Sequence, residues 1–531
     1  MLFTDYSFIG FLIVVFVLYY TLPKKCQWPF LLVASYVFYF VASPSYLIFI
    51  AATTISTYLV SLKLDQLETM QKAWLKEHKG QISREEKKEY KAGIKAKKWK
   101  WLLVCLIFNL GILAVLKYTN FTIANINGIL EAFHSDRQLS FLNLVLPMGI
   151  SFYTFQTMGY IIDVYRGTST AEKNPFKLAL FVSFFPQLVQ GPISRFNDLA
   201  KSLFEVHYFD PKVVSYGLYR ILWGYFKKVV VADRILTAVN AIIQNPDTYQ
   251  GGFVFVGMMF YAFELYADFT GGIDITIGIA QTMGITVTEN FRRPYFSKNI
   301  KEYWKRWHIT MGTWFTDYIF YPISVCKPML KFSKFSRNTF GENIGKRVPV
   351  YLSSFVVWFT TGIWHGASWN FIVWGLMNYV VIMISEELEP LYRKFHSRFR
   401  VKDKAWYGVF EIVRTILLMS AIRMFDCYRD VPLTFKMFGN MFAAFDLSAL
   451  NAEAFLGLGL SAADYILLFI CLLVILAVSV IQERRGSVRD IIFSSPAAWK
   501  YIVFGVLTIV VIVFGAYGIG YDQSQFIYNQ F

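Results

Sequence analysis

The stretch Val348-Pro-Val-Tyr-Leu-Ser-Ser-Phe-Val-Val-Trp-Phe-Thr-Thr-Gly-Ile-Trp-His-Gly-Ala-Ser-Trp-Asn370 begins as a lipid-grade apolar run and ends on an imidazole, His365. A polar ring withdrawn from water is costly unless a partner or an aqueous cavity receives it. His365 therefore predicts either a reaction site or an internal hydrogen bond. Basic clusters bracket the run. Lys327, Lys331, Lys334, Arg337, Lys346 and Arg347 precede it with only Glu342 opposing, and a second basic stretch, Arg393 to Lys404, follows with only Asp403 opposing. Positive charge marks the cytoplasmic side, so the apolar runs between the clusters read as an up-and-down hairpin with His365 near its turn. From Arg347 to His365 a helix rises roughly 27 Å, close to the hydrocarbon thickness. A straight span carries the imidazole toward the outer face, whereas tilt or a re-entrant turn leaves it nearer the midplane.

The rest of the chain has the same character. Of 531 residues, 56% are hydrophobic and 19% aromatic, and only 17% are charged, against about 25% in soluble domains. Apolar runs approaching membrane length recur near 7–22, 30–62 (two spans), 101–118, 141–162, 176–193, 213–231, 253–268, 270–286, 311–325, 348–364, 369–385, 409–424, 464–482 and 499–519. The predicted fold is an all-α polytopic membrane protein with about 11–14 embedded helices, some of them re-entrant where Gly and Pro interrupt the run. Met1 to Ser7 carries no Lys or Arg and no cleavage-site pattern, so the first run is expected to be retained. Cys26, Cys105, Cys326, Cys427 and Cys471 stand singly, which predicts packing residues rather than disulfides.

The formal charge is +16, and its distribution is informative. Between Lys63 and Lys100, 12 Lys or Arg face 6 Asp or Glu. Beside membrane spans this reads as a cytoplasmic loop drawn to anionic lipid rather than a nucleic-acid surface. The organisation expected is one transmembrane domain over 1–531, with a basic cytoplasmic loop at 63–100, a core at 140–385 and C-terminal helices at 386–531.

A second informative stretch runs from Glu289 to Pro322. Tyr303, Trp304, Trp307 and His308 recur three to four apart among Lys298, Lys301, Lys305 and Arg306, the pattern of a helix at the cytoplasmic interface. His308 falls where that helix turns apolar and could face a cavity; the plainer alternative is an aromatic-belt helix whose histidine bonds a neighbour. His78, His134, His207 and His396 sit in hydrophilic linkers, no two histidines have ligand spacing, and no catalytic metal is expected. Asp163, Glu264, Asp268 and Asp274 lie in apolar surroundings, and each is expected to pair with an Arg, a Tyr or backbone. The glycines of Asp268-Phe-Thr-Gly-Gly-Ile-Asp274 would allow a bend or a close helix approach.

These residues carry a family resemblance. Leu146-Pro-Met-Gly-Ile-Ser-Phe-Tyr-Thr-Phe155, Phe184-Phe-Pro-Gln-Leu-Val-Gln-Gly-Pro-Ile193, Gly217-Leu-Tyr-Arg-Ile221, Phe226-Lys-Lys-Val229, Glu289-Asn-Phe291 with Pro294-Tyr295, Tyr303-Trp-Lys-Arg-Trp-His-Ile-Thr310, Asp317-Tyr318 and Gly362-Ile-Trp-His-Gly-Ala-Ser-Trp-Asn370 together resemble the membrane-bound O-acyltransferases (MBOAT), in the bacterial branch of alginate O-acetyltransferases and teichoic-acid D-alanyl transferases. The alginate-type words fit better. Ile422-Arg-Met-Phe-Asp-Cys427 and Thr270-Gly-Gly-Ile-Asp274 depart from the usual family words, which bears on the acceptor or partner surface.

The resemblance implies a helical bundle around a tunnel, with an acyl donor on the cytoplasmic side and an acceptor outside. It implies that His365 and His308 are the catalytic pair. A neutral imidazole suits removal of a hydroxyl proton, the role expected of His365. His308 would position the thioester or polarise its carbonyl, with Asp317 or nearby backbone orienting it. Trp304, Trp307, Trp364, Trp369 and Asn370 are candidate tunnel or substrate-binding residues. No nucleophile-elbow pattern is present, which favours direct transfer over an acyl-enzyme. The implied donor is acetyl-CoA or a carrier-protein thioester, with no bound cofactor. The implied acceptor is an exported polysaccharide or cell-wall glycan at a bacterial inner membrane, reached directly or through an extracytoplasmic relay partner. D-alanyl transfer to teichoic acid is the alternative within the family. A proton-coupled transporter or flippase is the alternative outside it, and it would carry inverted repeats, of which the sequence shows none that is convincing.

Overall fold

The computed structural model describes residues 3–42 and 44–517, and among them regular structure is helical, with no strand. The chain forms two compact units, Met1–Val214 with Ala280–Thr288, and Ser215–Ile279 with Glu289–Phe531. Six helices among the described residues are long and apolar enough to cross a bilayer by themselves, as expected of a multi-pass membrane protein.

In the first unit, α1 (Tyr6–Thr21), α2 (Gln27–Ala42), α3 (Leu47–Glu77), α4 (Arg84–Ala132) and α5 (Ile150–Arg166) precede three short helices, α6 (Pro175–Ser183), α7 (Phe185–Leu188) and α8 (Phe196–Leu203). The basic stretch 63–100 is mostly helical. It forms the end of α3 and the start of α4, joined by a turn that Ser83 and Glu86 close with a reciprocal capping box, which satisfies two otherwise orphaned amides. Lys98 is buried there and reaches Glu68 at 2.9 Å, and Trp74 stacks on Tyr90 with centroids 3.8 Å apart. The run 176–193 is not one span either. Pro186 supplies no amide donor, α6 stops at Ser183, and the Gln187 side chain donates to Pro192 O and Ser194 Oγ across the irregular segment. Irregular backbone within an apolar run is tolerated only with such internal partners. At Gly149, φ is +71° and a Cβ would collide with the Leu188 carbonyl, so both conformation and space require glycine.

The second unit continues α9 (Pro211–Tyr225) through a π-helical segment, Phe226–Ala232, into α10 (Asp233–Gln244), and then forms α11 (Gly252–Thr282). The two spans expected at 253–268 and 270–286 are one helix. Gly271 and Gly272 do not break it, because the chain uses glycine there for approach: a Cβ on Gly271 would lie 2.9 Å from Gly224 O, and one on Gly224 would lie 2.6 Å from Gly271 O. Close packing offsets the intrinsic cost of helical glycine, about 1 kcal/mol.

That approach brings charges together. Asp274 meets Arg220 at 2.8 Å and Lys227 at 2.6 Å, and Lys228 lies 2.5 Å from Asp268 and 2.8 Å from Asp233. Lysine, which the sequence reading did not include among the expected partners, thus serves two of these acids. Glu264 is buried one turn before Asp268. Among the cysteines, Cys105, Cys427 and Cys471 are buried, but Cys26 is exposed, contrary to a packing role.

Downstream come α12 (Ile300–Arg306), α13 (Ile309–Phe315), α14 (Tyr321–Ser324), α15 (Lys327–Gly345), α16 (Val348–His365) and α17 (Trp369–Glu387). The expected hairpin is α16 and α17, and Gly366-Ala-Ser368 is its turn. Gly362 and Gly375 let the two helices touch: a Cβ on either would lie 2.5 Å from a carbonyl of the partner helix, Phe371 O or Trp358 O. At the other end Arg347 and Tyr351 both bond Glu387. The chain continues through α18 (Glu389–Phe399), α19 (Ala405–Tyr428), α20 (Val431–Ala443), α21 (Ala452–Leu456), α22 (Ala462–Arg485), α23 (Val488–Ser494) and α24 (Ala497–Phe514).

Candidate active site

The glycine contact between α16 and α17 decides what faces what. It sets Trp358, Trp364 and His365 of one helix against Phe371 and Trp374 of the other. The His365 ring lies 4.6 Å from Trp374, 5.2 Å from Trp364 and 6.4 Å from Phe371, centroid to centroid. His365 is the last residue of α16 and is half-buried.

His308 reaches Trp364 from a different segment of the chain. The helix expected to run through it ends earlier, at Arg306, and His308 occupies the joint between α12 and α13 with φ +48° and ψ +53°. A left-handed conformation is uncommon for a residue with a Cβ and must be held by its surroundings. The segment 290–292 does this, since Arg292 N donates to Arg306 O at 2.9 Å and Ile309 N to Asn290 O at 2.9 Å. The His308 ring is 1% exposed and lies 5.0 Å from Phe269 and 6.2 Å from Trp364. Trp364 is thus the common wall of both histidines.

Nδ1 of His308 lies 3.2 Å from Oδ1 of Asn290. The same Oδ1 is 3.1 Å from Thr310 N and 2.9 Å from Thr310 Oγ1. An amide N–H can only donate, so the atom facing Thr310 N is an oxygen, and Nδ1 of His308 carries its proton toward it. Neutral His308 therefore presents a lone pair at Nε2. Polarising a carbonyl, one of the two roles expected of it, would require the imidazolium; positioning the thioester would not. Asp317, expected to orient His308, lies half-buried in the π-helical turn Thr316–Phe320, and the group facing Nδ1 is Asn290.

Around this pair the aromatic residues close a box. Tyr303 stacks on Trp307 at 5.6 Å. Trp304 meets Trp358 at 4.9 Å and Trp374 at 5.8 Å, and its Nε1 donates to Asn378 Oδ1 at 3.2 Å. Into the box projects Arg423 of α19, 5% exposed, with its guanidinium 4.8 Å from the Trp307 ring, 5.4 Å from Trp374 and 6.0 Å from Trp304. Nη1 of Arg423 reaches Asp426 at 3.3 Å, while its Nε and Nη2, like Nε1 of Trp374, are buried without a hydrogen bond to protein. Asn370 is buried and ties the turn to α19 through Phe425 O at 3.1 Å. Trp369 is 57% exposed and lies outside the box. Sequence reasoning missed Asn290, Trp374 and Arg423. An arginine in the apolar second half of α19 was the available signal for the last. Among the described residues, no three His, Cys, Asp or Glu side chains gather as a metal site.

Comparison with known proteins meets this geometry. The profile of the membrane-bound O-acyltransferase family (MBOAT) matches residues 171–427. A probable alginate O-acetylase of Pseudomonas syringae is 31% identical over 465 residues, 86% of this chain and 79% of the relative. The chain belongs to the membrane-bound O-acyltransferase family. It is accordingly an acyl-transferring enzyme of the membrane. Another relative, the peptidoglycan O-acetyltransferase of Helicobacter pylori, is 29% identical over 76% of this chain and 73% of its own length. The teichoic acid D-alanyltransferase of Bacillus subtilis is 28% identical over 51% of this chain and 66% of its own. The family match includes His308, His365 and Arg423 and ends at Cys427, before α20 to α24.

Proposed function

We propose that this protein is a bacterial inner-membrane O-acetyltransferase that moves an acetyl group from a cytoplasmic thioester, acetyl-CoA, to a hydroxyl of an extracytoplasmic polysaccharide or cell-wall glycan, directly or through a relay partner outside. The observation that carries this reading is the placement of His365 and His308 on Trp364, one ring half-buried and the other fully buried, inside an aromatic box that holds a buried arginine. The relatives support acetyl as the group moved, since similarity to the alginate-type enzyme covers 86% of the chain and that to the D-alanyl enzyme 51%.

In this mechanism His365 accepts the acceptor hydroxyl proton as the oxygen attacks the thioester carbon. The carbon–sulfur bond then breaks and the proton passes to the departing thiolate, so no charge accumulates over the cycle. Neutral His308, with its lone pair at Nε2, holds a donor group of a substrate. Donors for the developing oxyanion are available from Arg423 Nε and Nη2 and from Trp374 Nε1, in a site where water is excluded and fixed dipoles act strongly. Asp317, Trp304, Trp307, Trp364 and Asn370 serve as wall or support rather than as proton carriers.

The test is to incubate purified protein with radiolabelled acetyl-CoA and candidate glycans. Labelled ester is expected with the native chain, and His365→Ala should lower its formation by about 10²–10⁴-fold. Undiminished thioester consumption in that variant would overturn the mechanism. Glycan movement across vesicles without acylation would favour transport.

A further inference from the structure

Helices α9 and α11 cross on glycine. A Cβ on Gly278 would lie 3.0 Å from Gly217 O, one heptad along from the contact of Gly271 with Gly224, so the two backbones run together over about two turns. On this crossing stands Arg220, 8% exposed. Its Nε donates to Asp274 Oδ1 at 2.8 Å, and Lys227 donates to the other Asp274 oxygen at 2.6 Å and to Thr270 Oγ1 at 2.8 Å. The guanidinium is thereby held in one orientation, with its Nη atoms left for a second acceptor.

That acceptor is Glu289. Nη1 reaches Oε1 at 2.5 Å and Nη2 reaches Oε2 at 2.6 Å, the parallel, bidentate pairing that fixes direction as well as distance. Glu289 stands in a segment with no helix or strand, 289–293, whose backbone forms no ladder to hold its own position. The next two side chains face the active site. Asn290 accepts from His308 Nδ1, and the Phe291 ring lies 5.0 Å from Trp307 and 4.7 Å from Phe269. Three consecutive residues thus tie the helix crossing to the histidine and to the aromatic box. Stability does not account for the pair. The Glu289 side chain is 46% exposed, a setting in which an ion pair adds little to folding, and its loss would leave Arg220 bonded to Asp274.

We infer that Arg220 and Glu289 are positioning residues for the transfer reaction: the pair sets Asn290, and Asn290 sets the tautomer and the left-handed joint of His308. The inference rests on the reading of His308 as part of the acyl-transfer site.

Two measurements on the full chain in detergent test it. Hydrogen–deuterium exchange needs no turnover: Glu289→Ala should raise exchange at the amides of Ile309 and Thr310, which bond Asn290, while α16 and α17 stay as protected as in the native chain. Consumption of labelled acetyl-CoA in the presence of alginate oligosaccharides is the second. Glu289→Ala should lower kcat about ten-fold, within the coupling range of one hydrogen-bond network, with KM for acetyl-CoA unchanged. In an Asn290→Ala background the same substitution should cost nothing further, whereas a role in folding alone would multiply the two losses. Glu289→Gln keeps an oxygen for the guanidinium and should recover part of the rate. Unchanged exchange at Ile309 and Thr310 in Glu289→Ala, or multiplied losses in the double variant, overturns the proposal. Native rates in Asn290→Ala would remove His308 from the chemistry and overturn both readings, and the exchange result tells the two failures apart.

Discussion

Asn290 Oδ1 accepts from three donors at once, His308 Nδ1 at 3.2 Å, Thr310 N at 3.1 Å and Thr310 Oγ1 at 2.9 Å. One side-chain oxygen thereby fixes the tautomer of a buried imidazole and holds the left-handed joint on which it stands. Asn290→Ala removes both functions. Acyl transfer should fall by about 10²-fold, mostly in kcat. Asn290→Asp keeps the oxygen and should recover part of the rate. Steady-state kinetics on the two variants checks this, and equal rates for Asn290→Ala and the native chain would refute the role.

Gly375 crosses Gly362 where α16 and α17 touch, and a Cβ on it would meet Trp358 O at 2.5 Å. Backbone cannot swing away as a flexible side chain can, so Gly375→Ala must separate the helices. Overpacking of this kind costs about 1–3 kcal/mol. Because the same crossing sets Trp374 against His365, activity should fall further than folding does. Thermal unfolding in detergent, compared with acetyl transfer at a temperature where both proteins are folded, separates the two losses.

Lys228 is 1% exposed between Asp268 at 2.5 Å and Asp233 at 2.8 Å. Lys228→Met abandons buried carboxylates, and breaking a buried pair from one side costs about 3–5 kcal/mol. Adding Asp268→Asn removes one of those stranded charges and should restore much of the folded yield. Fluorescence-detected size exclusion of the single and double variants measures this.

Much of the architecture could be read in the sequence because its causes are local. The apolar runs, the basic clusters at 327–347 and 393–404 and the position of His365 together specified the hairpin, and the structure has it. Segment breaks were harder. Pro186 ends a helix because it lacks a donor, and its irregular neighbour is legible only once Gln187 is seen to bond Pro192 and Ser194. Gly271 read equally well as a bend or an approach, and only the presence of Gly224 opposite it decides for approach. The site divided in the same way. His308 and His365 announced themselves as imidazoles in apolar stretches. Asn290, 18 residues before His308, and Arg423, 58 residues beyond His365, became partners of the site through tertiary contacts that spacing does not encode.

Arg423 gives the sharpest separation of fold from chemistry. Its guanidinium lies among Trp304, Trp307 and Trp374 and bonds Asp426 at 3.3 Å. Arg423→Met replaces the side chain by one of similar reach but strands the Asp426 carboxylate, so it should destabilise the fold by about 3–5 kcal/mol. Arg423→Met with Asp426→Asn removes both charges and should return most of that stability, since well-packed neutral replacements of a buried pair are often tolerated. It returns none of the buried N–H groups among Trp304, Trp307 and Trp374, so acyl transfer should stay about 10²-fold low, the scale of a lost oxyanion donor. Arg423→Lys keeps the charge but not the planar fork that stacks on tryptophan, and should fall between. Recovery of full activity in the neutral double variant would show that Arg423 serves the fold alone.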